Sequence, residues 1–195
     1  MGESKPVKNL LPIFPTYADP AKWRPPGSRV KAIGDEWRDL RRKVMAREDF
    51  TCQYCGHRAE KYQIAHHMDE NPENNSMENL SVICQMCNLI MHAGQGCVVQ
   101  GIVDLYEGSN YTQREIIQIT RRMRFDEGKP DSDIIAFLGL RKEMPFIMDK
   151  NYLMGLFGFV TSRTSKEPDN MYENWRKYED RRGQFRRSTN RDATS

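Results

Sequence analysis

Two cysteine pairs constrain this chain more than any other feature. Cys52-Gln-Tyr-Cys55 and Cys84-Gln-Met-Cys87 are separated by 28 residues. The turn of a C-x2-C pair brings both sulfurs within reach of one ion at roughly 2.3 Å. Two such pairs close a tetrahedral shell of four thiolates, which suits Zn2+ and leaves no position open for chemistry. The expectation is a structural zinc ion that fastens residues 52–55 to 84–87 and contributes its binding energy to folding. The alternative is a cluster of four buried, reduced cysteines. The fifth cysteine, Cys97, has no partner and reads as core rather than ligand. The 28-residue excursion is longer than in many zinc ribbons, so it must hold folded structure of its own.

The rest of the composition narrows the class. A length of 195 residues fits one domain with appendages. Eight Phe, eight Tyr, three Trp and eleven Met can supply a core. No apolar run reaches the ~18–20 residues of a membrane-spanning helix. The N-terminus lacks the basic-then-apolar layout of a secretory leader. A cytoplasmic protein is expected, with reduced cysteines rather than a disulfide framework.

The small net charge of +3 conceals a separation of signs. From Ser162 to Ser195 there are nine Lys/Arg against six Asp/Glu. Arg24 to Arg47 carries eight basic and three acidic residues, whereas Glu48 to Cys97 carries two basic and seven acidic. A basic helix beside an acidic loop region reads first as two faces neutralising each other. It reads second as a surface for nucleic acid or an acidic partner.

Residues 1–27 hold six prolines and several large apolar residues. That predicts an extended arm that wraps its own domain or a partner. Ser28 to Glu48 reads as a helix capped by Ser28, with Gly34 inside it and an apolar stripe of Val30, Ile33, Trp37, Leu40 and Val44. Tyr62 to His67 and Leu80 to Ile83 read as the strands of a hairpin, and Cys87 to His92 as the start of a helix. Cys97 to Tyr106 is β-branched and reads as a strand. Thr112-Gln-Arg-Glu115 is a capping box, so a helix begins there, with Ile116, Ile119 and Met123 as its stripe and Gly128-Lys-Pro130 as its end. Ser132 or Asp133 is expected to cap a helix through Leu140, and another is expected from Phe146 to Val160. The sequence after about Ser165 is a charged tail. The resulting division is an arm (1–27), a helix with the cysteine region (28–97), a strand with a helical extension (98–161) and the tail (162–195).

Inside the excursion stand His57, His66, His67 and Asn79, and just beyond it Asn88 and His92. Asn88 and His92 are four residues apart and share a helix face, which can meet the end of the preceding strand. Successive side chains of a strand point to opposite faces, so His66 and His67 cannot both pack inward. Imidazole and amide oxygen are competent ligands of a divalent ion, and an imidazole near pKa ~6.5 can deprotonate water.

The order C-x2-C, HH, N-L, C-x2-C, N-x3-H resembles the zinc-containing HNH group of ββα-metal endonucleases over about residues 47–94. The resemblance implies an α+β fold: a zinc-stabilised ββα-metal core with an N-terminal helix and a C-terminal helical extension. By position, it implies His67 as general base, His66, Asn88 and His92 as ligands of a divalent ion such as Mg2+ or Mn2+, and Asn79 as the residue that pins the loop. Asn88 stands where many members have His. His57 fits no role and reads as surface.

A second resemblance is closer. Phe50 to Gln63, the run from His66 to Leu80, and the strand followed by a Thr-Gln-x-Glu helix start (Ile102 to Ile116) resemble the IcmJ/DotN family. Those proteins belong to the cytoplasmic coupling complex of type IVB secretion and related conjugation systems. The resemblance covers roughly residues 40–125. It implies a zinc-stabilised HNH fold used as an adaptor, bound to the coupling ATPase at the inner membrane through other subunits and not inserted itself. Three readings follow: a non-catalytic adaptor first; an endonuclease acting on DNA phosphodiesters, with the histidine constellation retained, close behind; and a zinc nucleic-acid-binding module third.

Overall fold

A computed structural model describes residues 9–19 and 34–164. The expectations for Ser28, Val30 and Ile33 and for the tail from 165 onward lie outside these residues.

Helix α1 spans Asp35–Arg47. Gly34 is its N-cap, with extended backbone at φ −62° and ψ 163°, and not an interior residue as the sequence suggested. Asp35 and Glu36 in the first turn and Arg47 in the last match the helix dipole. The four arginines of α1 are engaged within the chain. Arg38 and Arg42 pair with Asp35 and Asp39, Arg41 donates to the Gln63 carbonyl at 2.6 Å, and Arg47 donates to the Met77 carbonyl at 2.6 Å.

Strands β1 (Gln63–His67) and β2 (Leu80–Cys84) form an antiparallel hairpin in which His67 faces Leu80 and Gln63 faces Cys84. The two-residue period of a strand divides its side chains. Ala65, Leu80 and Val82 pack under Val44 and Met45 of α1, with Trp37 and Leu40 against them. Ile64 and Ile83 point the other way, into a cluster with Met86, Leu89 and Ile90 of helix α2 (Gln85–Met91). The hairpin is thus covered on both faces.

The predicted strand from Cys97 is a π-helical turn, Gly94–Val99. Its helical bonds continue from α2, with Gly96 N–H on the His92 carbonyl at 3.0 Å and Gln100 N–H on the Gln95 carbonyl at 2.8 Å. Gly101 then turns the chain at φ +66°, and a strand begins only after it. That strand, β3 (Val103–Gly108), is the centre of a three-stranded antiparallel sheet, between β4 (Arg141–Met144) and β5 (Phe157–Val160).

Helix α3 (Gln113–Arg121) carries the predicted capping box: Glu115 N–H donates to the Thr112 hydroxyl, and Thr112 N–H donates to Glu115 at 2.8 Å. A π turn, Arg122–Asp126, extends it. Helix α4 (Asp131–Leu138) starts before the Ser132 or Asp133 cap that the sequence suggested; its N-cap is Pro130, whose side chain has no acceptor to offer, and the Asp131 carboxylate binds Arg124 and Ser162. It stops at Leu138 because Gly139 adopts the left-handed conformation at φ +61°.

Strand β4 (Arg141–Met144), helix α5 (Lys150–Met154) and strand β5 (Phe157–Val160) complete the fold. The helix expected from Phe146 to Val160 therefore shrinks to five residues. Asp149 caps it, Gly155 ends it, and the aromatic and β-branched residues that follow pair with β3. Gly158 lets the sheet approach α2: a Cβ there would lie 2.6 Å from Ile90 Cδ1.

Residues 9–19 run without regular structure along this body. Leu11 N–H bonds to the Gln53 carbonyl at 2.7 Å, and Thr16 exchanges bonds with Ile90 and Ala93. This part of the proline arm wraps its own chain. Among the described residues no helix is long and apolar enough to cross a membrane.

Candidate metal centre

The first cysteine pair sits in a tight turn between α1 and β1. Gly56 N–H closes it on the Cys52 carbonyl at 2.9 Å, and Cys52 N–H bonds to the His57 carbonyl at 2.9 Å. Gly56 supports the turn with φ +78°. The second pair straddles a strand–helix junction. Cys84 is the last residue of β2 and the N-cap of α2, and Cys87 lies in the first turn of that helix. The hairpin thus delivers its own end to the knuckle that precedes it.

All four sulfurs lie within 4.8 Å of one another, and all four residues are buried. None is in a disulfide. Cys55 Sγ and Cys84 Sγ are 3.7 Å apart. At a metal–sulfur distance of about 2.3 Å, the edge of a regular tetrahedron is about 3.8 Å, so the spacing suits a four-thiolate shell. The neighbouring sulfurs of Cys52, Cys55 and Cys87 hold the Cys84 thiol below its usual range, while Cys52 and the other two push Cys87 above it. Such a group cannot lose all its protons unless a cation shares the charge. The donor set, the burial and the spacing can hold a metal ion. Cys97 stands outside the group, half-buried against the same apolar cluster, where burial raises its thiol pKa.

The histidines divide between the two faces of the hairpin. His66 is buried on the α2 side, with its ring edge-on to His92 at 5.4 Å and to Tyr54 at 6.0 Å. His92 caps the C-terminus of α2, and its Nδ1 is buried without a hydrogen-bond partner among the described residues. Burial, and the charge of His92 and His67, pull the pKa of His66 down to about 4, and burial lowers that of His92 as well. Asn88 is half-buried one turn before His92, and its carbonyl takes the His92 N–H at 2.9 Å. His67 lies on the α1 side. Its ring stacks on Trp37 at 5.7 Å and 7°, and its Nε2 is hydrogen-bonded to Asn75 Oδ1 at 2.9 Å. The structure therefore brings His66 and His92 together and places His67 against a different helix. His57 is half-buried near Arg121 and Cys84.

Asn79 organises the loop between the strands. Its Oδ1 accepts the Asp69 N–H at 3.0 Å, and its Nδ2 donates to Asp69 Oδ1 at 2.8 Å and to the Asn74 carbonyl at 2.9 Å. Asp69 also takes Asn71 N–H and Asn74 Nδ2, and these bonds, that of Asn74 foremost, lower its pKa.

Three contributors went unread in the sequence. Arg114, Gln118 and Arg121 stand at i, i+4 and i+7 on α3 and all reach the cysteine loops. Arg114 donates to the Tyr54 carbonyl at 2.9 Å and the Leu11 carbonyl at 3.0 Å. Gln118 donates to the Cys55 carbonyl at 2.8 Å, and Arg121 donates to Cys84 Sγ at 3.3 Å. Their spacing was visible, but a polar stripe on a helix ordinarily means a solvated face.

No protein-family model matches this chain. Over 70 residues, 36% of its length, the chain is 33% identical to the type 4 apparatus protein DotN of Legionella pneumophila subsp. pneumophila. The match spans 32% of that relative.

Proposed function

We propose that this chain is a zinc-stabilised adaptor of the HNH type that works in a type IV secretion or conjugative coupling complex. The observation that carries this reading is the 33% identity to DotN, in a chain that also gathers four buried cysteines around one point. The succession β1, β2, α2, with the cysteine pairs at its two ends, supports taking the core as a ββα-metal unit with Zn2+ held by Cys52, Cys55, Cys84 and Cys87. A four-thiolate site has no open coordination position and serves shape rather than chemistry. The expected partners are a coupling ATPase and its associated subunits, with the chain on the cytoplasmic side and held at the membrane through them. In this reading the arm (1–27) and the extension (98–161) frame the cysteine unit (28–97), and the tail (162–195) follows.

The test is copurification. Tagged full-length chain, expressed in a host carrying such a system, should retain the coupling ATPase through stringent washing. Recovery of the chain free of every secretion subunit would count against the adaptor.

A second reading has one observation in its favour: the close approach of His66 and His92, whose buried Nδ1 has no hydrogen-bond partner among the described residues. In that reading His66, Asn88 and His92 hold Mg2+ or Mn2+, which supplies charge stabilisation at a DNA phosphate. Asn79 fixes the loop, and His67 takes the proton of the attacking water. The stacking of His67 on Trp37, on the other face of the hairpin, is why this reading ranks second. Nicking of supercoiled plasmid by the full chain with Mn2+, abolished in His67→Ala, would reverse the order.

A further inference from the structure

Four thiolates around one divalent cation form a doubly negative centre. Taking such a charge out of water is costly unless donors point at it. Here the four cysteines are buried, and among the described residues one charged side chain reaches a sulfur: Arg121 Nη2 lies 3.3 Å from Cys84 Sγ. Arg121 differs from its neighbours on the same segment. Arg122 pairs with Glu127 and Arg124 with Asp131, whereas among the described residues no carboxylate pairs with Arg121. Its Nε is buried and has no hydrogen-bond partner among the described residues. A guanidinium so placed lacks a carboxylate partner among the described residues, and a four-thiolate centre around a divalent ion carries excess negative charge. Each supplies what the other is missing.

We propose that Arg121 is the outer-shell cation of the cysteine centre. Delivered by α3, its guanidinium donates to the Cys84 sulfur and sets how tightly the centre keeps its ion. The proposal rests on the reading that the four cysteines bind a metal. A hydrogen-bonded thiolate is less basic and less nucleophilic, so it loses its metal to protons and electrophiles more slowly. Gln118, one turn earlier, fixes the approach of α3 by donating to the Cys55 carbonyl at 2.8 Å. A later helix thus closes a site whose ligands all come from residues 52–87.

The experiment is a Co2+ and Zn2+ titration of the full chain against a competing chelator, with the thiolate-to-cobalt charge-transfer band recorded alongside. Wild-type chain that binds neither ion overturns the metal reading, and this inference with it. If wild type binds, Arg121→Gln should weaken binding by about 10- to 100-fold and shift the band. Arg121→Lys should fall between the two. Arg122→Gln, which removes an exposed arginine paired with Glu127, should match wild type. Wild-type affinity and an unshifted band in Arg121→Gln overturn the assignment. Should that variant fail to fold, the same two readings on Arg121→Lys decide the matter.

Discussion

The two halves of this molecule are stabilised by different means. In the first, a two-stranded hairpin lies between α1 and α2, and the buried cluster on its α1 side is small: Val44, Met45, Ala65, Leu80 and Val82. Polar bonds from side chain to backbone do much of the positioning. Gln63 Nε2 binds the carbonyls of Phe50 and His57, Glu48 accepts the Val82 N–H, and Asn79 holds its loop. In the second, a three-stranded sheet meets α3 and α4 over Tyr106, Ile116, Met123, Ile134, Leu138, Leu140 and Phe159, an ordinary apolar core. A lone hairpin is marginal in water, whereas three strands packed on helices can stand by themselves. The hairpin here is not alone, because its α2 side shares a buried cluster with Val103, Leu105, Ile117 and Val160. Its α1 side is thin, and in the reading proposed above a metal ion held by the four cysteines is the fastener.

The largest expected effect breaks that fastener. Cys52→Ser, or stripping metal from wild type with a strong chelator, should cost the first half its cooperative fold, a loss above ~5 kcal/mol. Amide hydrogen exchange would localise it: protection should vanish across β1, β2 and α2 while β3 and α3 keep most of theirs. Uniform loss in both halves would mean that the contrast is false.

The next strikes the other half. Phe159 is fully buried in the second core, with the Arg124 guanidinium 5.6 Å above its ring. Phe159→Ala should cost about 3–5 kcal/mol in urea melts. Metal content per folded chain should stay at the wild-type level. A fall in metal content would show that the cysteine centre depends on the apolar core, not only on α3.

The seam between the halves can be tested at Gly158. A Cβ at this position would meet Ile90 Cδ1 at 2.6 Å and Pro15 Cγ at 3.5 Å, so β5, α2 and the N-terminal arm crowd one point. Gly158→Ala should destabilise by roughly 1–3 kcal/mol, less if Ile90 can turn aside. The signature is a melt in which both halves shift together, read by a probe in each.

The contrast also explains which features the sequence revealed. The cysteine pairs, the hairpin strands and the capping box were legible because each rests on local chemistry at fixed spacing. The strand read at Cys97 and the long helix read at Phe146 failed because each holds only short apolar runs, and periodicity alone does not separate helix from strand there. Glycines decided both cases: Gly101 delays β3, and Gly155 ends α5. In the site, helix spacing made it foreseeable that His92 meets the end of the strand, and the family resemblance singled out His66 there. The stacking of His67 on Trp37 was not, because it depends on which face α1 covers. Arg121 was invisible for a similar reason: its partner lies 37 residues away.

The smallest effect belongs to the capping box, and its value lies in what it should leave untouched. Thr112 and Glu115 satisfy each other's donors at the start of α3 and lie on the exposed side of the helix. Thr112→Ala should cost about 1 kcal/mol by removing that cap. The fraying falls on the first turn, where Arg114 reaches the Tyr54 and Leu11 carbonyls, and not on the last, where Arg121 meets Cys84. Metal affinity should therefore hold while exchange of the amides near Leu11 quickens. If affinity falls as well, α3 acts on the cysteine centre as one rigid lever, and its grip cannot be assigned to its C-terminal turn.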